Sequence, residues 1–143
     1  MLGNMSNDPI QVTTTINAPL QRVWDTFNTP EDIMAWNHAS DDWHCPASRN
    51  DLRVGGTFAS TMAAKDGSME FEFGGEYTQV RPQEFIEYRI GDGRMVSVTF
   101  ERLSDHETRV TEHFDAEGTH PREMQQAGWQ AILENFKRHA EQQ

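Results

Sequence analysis

The sequence predicts an α+β fold in which a curved antiparallel sheet of about seven strands wraps around one long C-terminal helix. Two observations lead to this prediction. Short stretches of alternating apolar and polar residues, separated by turn residues, recur between residues 51 and 114. The end of the chain instead repeats apolar side chains at three- and four-residue spacing, which is typical of an amphipathic helix. Such a helix must bury its apolar stripe against the sheet, and a bent sheet leaves space for a cavity between the two.

The first elements are a strand and two short helices. Residues 10–16 alternate between apolar and polar side chains, the pattern of a half-buried strand. Asn17-Ala18-Pro19 ends this strand and opens a helix with an apolar face. Thr29-Pro30-Glu31-Asp32 then repeats the start signal, with a cap residue, a proline and acidic residues. We predict a second, short helix from Pro30 to Trp36.

The middle of the chain is predicted to be a loop followed by six strands. Residues 37–51 show no clear period and are rich in Ser, Asp, Asn and Pro, so we interpret them as a loop anchored by Trp43. Asp66-Gly67 and Asp92-Gly93 are hairpin signals, and another turn is expected near Ser104-Asp105. The strands are expected within residues 51–54, 58–64, 69–77, 86–90, 96–100 and 110–114.

The long C-terminal helix carries the apolar stripe that the sheet would cover. Pro121 suits a first helical position, and Glu123 places negative charge near the positive end of the helix. The stripe consists of Trp129, Ile132, Leu133, Phe136 and Ala140.

Length and composition limit the possible functions. The chain has 143 residues, which suits one domain over residues 9–143 after a flexible leader over residues 1–8. Its formal net charge of -11 argues against nucleic acid or an anionic membrane as a partner. One cysteine, Cys45, fits a reducing cytoplasm. No apolar run is long enough to insert into a bilayer, so we expect a cytoplasmic protein.

Several segments carry a resemblance to a known family. They lie at residues 17–24, 29–31, 36, 39–46, 51–56, 65–68 and 128–129, within a span of roughly residues 9–140. Together they resemble the START-like (SRPBCC) helix-grip superfamily. More narrowly, they resemble the branch of homologues of the activator of the heat-shock-protein-90 ATPase.

This resemblance implies a seven-stranded antiparallel sheet that grips the C-terminal helix, with a pocket between them. Members of the superfamily bind lipids, sterols, polyketides or plant hormones in that pocket, and a minority catalyse cyclisation or dehydration. The branch is named after a two-domain cochaperone, and this chain resembles one of its two domains.

Eight side chains are candidates for the wall of the pocket: Trp36, Trp43, Phe58, Met62, Phe73, Tyr88, Glu112 and Trp129. An aromatic stripe more often fills a core than lines a cavity, so both interpretations stay open. The Tyr88 hydroxyl and the Trp129 indole could orient an apolar ligand. Gly75 and Gly128 either leave gaps along the pocket or permit a close approach of backbone.

Glu112 is the most unusual candidate. It falls between Val110 and Phe114 on an alternating strand, which would aim its carboxyl at the apolar face. An inward carboxylate is costly unless it is paired or protonated, so it could bind a ligand hydroxyl or act as an acid or base. A one-residue slip of register would place Glu112 in solvent and turn His113 inward instead.

Metal binding by the predicted loop is an alternative interpretation of this segment. Its possible ligands are His38, Asp41, Asp42, His44 and Cys45. Zinc sites combine such groups with a second set of ligands, and none is evident in the sequence. We therefore predict no metal and no cofactor, with the aspartates serving as turn residues.

The leading functional hypothesis is binding of a small hydrophobic or amphipathic molecule, without assigned catalytic residues. One alternative is a protein that interacts with a partner in the manner of a chaperone-ATPase activator. The second is an enzyme of the cyclase or dehydratase kind that uses Glu112. We favour binding over catalysis, because acid–base chemistry normally needs a second convergent group.

Overall fold

The structure is a computed structural model that describes residues 8–143. The predicted leader, residues 1–8, lies outside the described residues apart from Asp8. The elements in chain order are β1 (Ile10–Ile16), α1 (Leu20–Asn28), α2 (Pro30–Trp36), β2 (Trp43–Asn50), β3 (Thr57–Ala64), β4 (Glu70–Arg81), β5 (Phe85–Ile90), β6 (Met95–Ser104), β7 (Glu107–Phe114) and α3 (Arg122–Glu141).

The seven strands form one antiparallel sheet with the order β1-β7-β6-β5-β4-β3-β2. The sheet is curved, and α3 lies on its inner face, so the predicted α+β fold is confirmed. The α3 side chains Leu133, Phe136 and Ala140 are buried there, as the helical stripe predicts. None of the three described helices combines the length and hydropathy needed to span a bilayer.

Helix α3 also hydrogen-bonds to the backbone of β1, which forms one edge of the sheet. In an antiparallel strand, carbonyls of alternate residues point to the same side. At the outer edge of β1 these carbonyls accept hydrogen bonds from side chains that recur along the helix. The pairs are Gln126 Nε2 to Gln11 O at 3.0 Å, Gln130 Nε2 to Thr13 O at 3.1 Å and Lys137 Nζ to Thr15 O at 2.6 Å.

The predicted loop over residues 37–51 is wrong in its second half, because Trp43–Asn50 is strand β2. This strand pairs with β3, and the pairing needs only backbone groups, so its side chains need not alternate in polarity. Pro46 lies where the register shifts between His44 and Ala47, a position that tolerates a residue without an N–H. The expected number of strands is correct, but the first strand after α2 is Trp43–Asn50 and not residues 51–54.

The predicted strand at residues 51–54 is also wrong, since these residues form an irregular connection that leads into a turn at Val54-Gly55. Gly55 has φ +84°, a left-handed conformation that favours glycine.

Two helix starts also differ from expectation. Pro121 precedes α3 in extended conformation instead of being its first residue. Thr29 makes no capping bond to α2, because its hydroxyl donates to the Asp25 carbonyl at 2.7 Å.

The two glycines that could have marked gaps occupy different environments. A Cβ added at Gly75 would lie 2.6 Å from the Arg89 carbonyl oxygen of the neighbouring strand. A Cβ at Gly128, in α3, would meet nothing within 4 Å. Gly75 therefore permits close backbone approach, and the interpretation as a gap is wrong for that residue.

Alanine substitutions at these two glycines are expected to change the stability in opposite directions. Gly75→Ala should lower the free energy of unfolding by about 1–3 kcal/mol, because the methyl group forces two strands apart. Gly128→Ala should raise it by about 0.5–1 kcal/mol, because alanine is the better helix former. Urea unfolding followed by circular dichroism measures both. Equal effects of the two substitutions would contradict the difference in packing.

Candidate functional site

A cavity of about 240 Å³ lies between the inner face of the sheet and the helices. Its wall includes side chains from all three helices and from β2, β3, β4, β5 and β7. The lining residues are Phe27, Asn28, Ile33, Trp36, Asn37, Ser48, Arg49, Asn50, Phe58, Ser60, Met62, Phe71, Phe73, Tyr77, Ile86, Tyr88, Glu112, Trp129 and Ile132. The curvature of the sheet therefore leaves space that the α3 stripe does not fill.

Seven of the eight candidate residues line this cavity: Trp36, Phe58, Met62, Phe73, Tyr88, Glu112 and Trp129. Trp43 does not. It begins the edge strand β2, and its ring packs against Phe71 with 5.9 Å between ring centroids. Phe71 in turn lines the cavity and is 50% exposed, so Trp43 supports the wall from outside.

Aromatic rings in edge contact form much of the wall. Phe58 and Tyr88 have centroids 4.7 Å apart, and Phe73 and Trp129 have centroids 6.1 Å apart. Trp129 also stacks on Phe114 at 3.9 Å, which fixes the indole plane against the sheet. Because these rings hold one another in place, the cavity is preformed.

Glu112 points into this apolar site. It pairs with Val12 on one side and Val98 on the other, and only 8% of it is exposed. His113 faces the other side of the sheet, where its Nε2 lies 3.0 Å from Gln11 Oε1. The alternative register, with His113 inward, is therefore wrong. The pairing of β7 with both β1 and β6 fixes the inward position of Glu112.

The Glu112 carboxyl is buried without a hydrogen-bonding side chain among residues 8–143. Burial in the apolar wall raises its pKa to about 8, because the charged form loses its hydration. At pH 7 the group is therefore mostly protonated. A neutral carboxyl can donate one hydrogen bond and accept others, so it can anchor a polar atom of a ligand.

Tyr88 is the second buried polar group that faces the cavity without a hydrogen-bond partner in the described chain. It is 7% exposed. Burial raises its pKa well above the usual range, and the nearby charge of Glu112 contributes in the same direction. The hydroxyl therefore stays neutral and can both donate and accept a hydrogen bond.

Two other polar side chains of the wall, those of Tyr77 and Asn50, are already paired. The Tyr77 hydroxyl donates to Asn50 Oδ1 at 2.5 Å, and Asn50 Nδ2 donates to the Asn28 carbonyl at 2.8 Å. Sequence reasoning missed all three as lining residues. The alternating pattern places Tyr77 on the same strand face as Phe73, so the sequence could have indicated it as a lining residue. Asn50 lies in the segment interpreted as a loop, where no such pattern exists.

Residues 38–45, which contain the possible metal ligands, are arranged differently from a metal site. Cys45 is 3% exposed and its Sγ donates to the Ala47 carbonyl at 3.4 Å, while the neighbouring His44 is exposed. Burial raises the pKa of the Cys45 thiol, which disfavours the thiolate that binds metals. Within residues 8–143, no three His, Cys, Asp or Glu side chains come together closely enough to hold a metal ion.

Fold and cavity together define a helix-grip protein with an aromatic-lined cavity. The family described as "Activator of Hsp90 ATPase homolog 1-like protein" matches residues 17–141. The chain belongs to this family, and the resemblance inferred from its motifs is confirmed.

Solved structures agree with this assignment. The AHSA1-like protein from Aeromonas hydrophila is 44% identical, with 93% of each chain covered and a TM-score of 0.84. A protein from Cytophaga hutchinsonii is 53% identical over 94% of this chain and 92% of its own, with a TM-score of 0.81. A protein from Chromobacterium violaceum is 25% identical over 94% and 98%, with a TM-score of 0.82. No curated protein matches the chain.

Proposed function

We propose that this protein binds a small, largely apolar molecule in the cavity between the sheet and α3. The observation that supports this most directly is the pair of unpartnered polar groups, Glu112 and Tyr88, in a preformed aromatic chamber. Ligand sites commonly combine apolar walls for affinity with a few polar groups for orientation. Here the rings would supply the walls, and the carboxyl and hydroxyl would orient the ligand.

The size of the cavity limits the ligand. A cavity of about 150 Å³ accommodates benzene, so 240 Å³ suits a molecule of about ten non-hydrogen atoms. This is smaller than a sterol or a long-chain lipid. A small aromatic or branched aliphatic compound with one polar end fits both the volume and the lining.

Binding is proposed in preference to turnover. Glu112 is the one carboxyl among the described lining residues, and Tyr88 remains protonated. Acid–base catalysis normally uses a second titratable group that is poised near neutral pH. A cytoplasmic location is part of the proposal and is supported by the acidic composition and the single cysteine.

Filling the cavity should weaken binding. Met62 lines the cavity from β3, so Met62→Trp would place a larger ring in the space that the ligand needs. With indole as a neutral probe of suitable size, we expect the dissociation constant to rise at least tenfold, which corresponds to about 1.4 kcal/mol. Titration followed by ¹H–¹⁵N NMR measures it, and native mass spectra of the purified protein would show whether a ligand is retained.

Thr61→Trp is the matched control. Thr61 is the next residue on β3, so its side chain lies on the opposite face of the sheet. This variant should bind indole within about twofold of the parent protein. Failure of indole and of other neutral probes of this size to shift cavity resonances in the parent protein would overturn the proposed function.

A further inference from the structure

The sign of charge inside the cavity selects among possible ligands. Arg49 is the one basic residue among the described lining residues. It alternates along β2 with Ser48 and Asn50, and it is exposed. Its guanidinium donates to Thr57 Oγ1 at 3.0 Å on the other face of the sheet. Glu112 therefore has no opposite charge facing it from the wall.

The unpartnered groups are suited to a cluster of donors. The Glu112 carboxylate offers two acceptor oxygens, and the Tyr88 hydroxyl offers a third. An ammonium group carries three N–H donors and no acceptor, so it matches a cavity wall whose unpartnered oxygens can all accept. An alcohol brings a single donor and would leave acceptors unused. The number of acceptors therefore favours an amine.

The aromatic wall favours the same class of ligand. Phe58, Tyr88 and Tyr77 pack in mutual contact beside the cavity, with ring centroids 4.7 to 6.2 Å apart. The negative faces of such rings attract a desolvated cation. The overall charge of -11 also raises the local concentration of cations around the protein.

We propose that the cavity binds a protonated primary amine that carries a small aromatic or aliphatic group, with its ammonium on Glu112 and Tyr88 and its apolar part between the rings. This assignment rests on the proposed function, because it takes the cavity to be the ligand site. It names the class of ligand, which cavity shape alone leaves open.

Benzylamine and benzyl alcohol form a matched pair of probes. They differ at one non-hydrogen atom and in charge, and both are within the size limit of the cavity. A hydrogen bond to a charged group contributes more than one between neutral groups, so benzylamine should bind about tenfold more tightly at pH 8. Isothermal titration calorimetry in an amine-free buffer measures both constants for the full chain.

The pH dependence gives a second signature. Without a ligand, burial raises the pKa of Glu112 to about 8, so at pH 6 to 7 the ammonium must displace a proton from the carboxyl. Affinity for benzylamine should therefore rise between pH 6 and 8, where the amine remains protonated, whereas affinity for benzyl alcohol should not rise. The other titratable side chains that face the cavity are Tyr77 and Tyr88, both with raised pKa values, while the Arg49 guanidinium points away from it. The elements packed around Glu112 otherwise present Val12, Val98, Trp129 and Ile132.

Two variants test where the ammonium lies. Glu112→Gln keeps the shape of the side chain and removes the charge, so the preference for benzylamine and its pH dependence should both disappear. Glu107→Gln removes an exposed carboxyl from the start of the same strand and should change neither. The second variant controls for the general attraction of an acidic protein for cations.

The outcomes separate the two proposals. Equal affinity for the two probes would overturn the amine assignment and leave the proposed function standing. A preference for benzylamine that survives Glu112→Gln would also overturn it. Absence of binding by both probes and by indole would remove the proposed function and the amine assignment together.

Discussion

Glu112→Gln is expected to gain stability over the parent protein as the pH rises. The difference in unfolding free energy between the two should be about 5 kcal/mol larger at alkaline pH than in acid. The pKa of this carboxyl is about 8 in the folded chain and 4.5 as its ordinary value. Below pH 4.5 the group is protonated in both states. Between the two values the unfolded chain releases a proton that the folded chain retains, so stability falls by about 1.4 kcal/mol per pH unit. Above pH 8 the loss is complete.

Urea unfolding at intervals from pH 4.5 to pH 9 tests this expectation. The quantity to compare is the difference in unfolding free energy between variant and parent at each pH, because other titrating groups cancel in that difference. Glu107→Gln serves as the control, since Glu107 is exposed at the start of β7. If the unfolding free energies of Glu112→Gln and the parent change with pH in the same way, the Glu112 carboxyl is not buried in its protonated form.

Phe136→Ala should have the other large effect and cost about 3–5 kcal/mol of unfolding free energy. Phe136 is 0% exposed, and its ring contacts Phe27 and Trp36 with centroids 5.2 and 5.0 Å apart. Removing it leaves a hole where α1, α2 and α3 meet. A loss of this size corresponds to a fall in Tm of about 10 to 20 °C, which calorimetry would detect.

Met124→Ala provides the control on the same helix. Met124 is 58% exposed, so its truncation should change stability by less than about 0.5 kcal/mol. If the two substitutions have similar effects, α3 does not depend on the contacts of Phe136 with the other two helices.

Local signals in the sequence predicted some elements well. Helix α2 spans Pro30–Trp36 as expected, because proline and two acidic residues mark its start within one turn. The turns with positive φ at Gly67 and Gly93 also follow directly from their Asp-Gly pairs. In each case the determining interactions lie within a few residues along the chain.

Features set by distant residues were harder to predict. Strand β2 forms because β3 offers its backbone, and the pattern of β2 side chains carries little of that information. The inward position of Glu112 was one of two alternatives until its pairing with Val12 and Val98 fixed the register. Asn50 joins the cavity wall through Asn28 and Tyr77, residues more than twenty positions away.

The side chains of α3 that hold the backbone of β1 have a consequence for aggregation. An uncovered edge strand presents free carbonyls that can pair with another chain. Here Gln126, Gln130 and Lys137 occupy alternate carbonyls of that edge, and the opposite edge is interrupted at Pro46. A second chain could add to β1 only after these side chains released the carbonyls, and detachment of α3, which releases all three, would also open the cavity. Small molecules that keep α3 in place should therefore slow self-association of the protein as well.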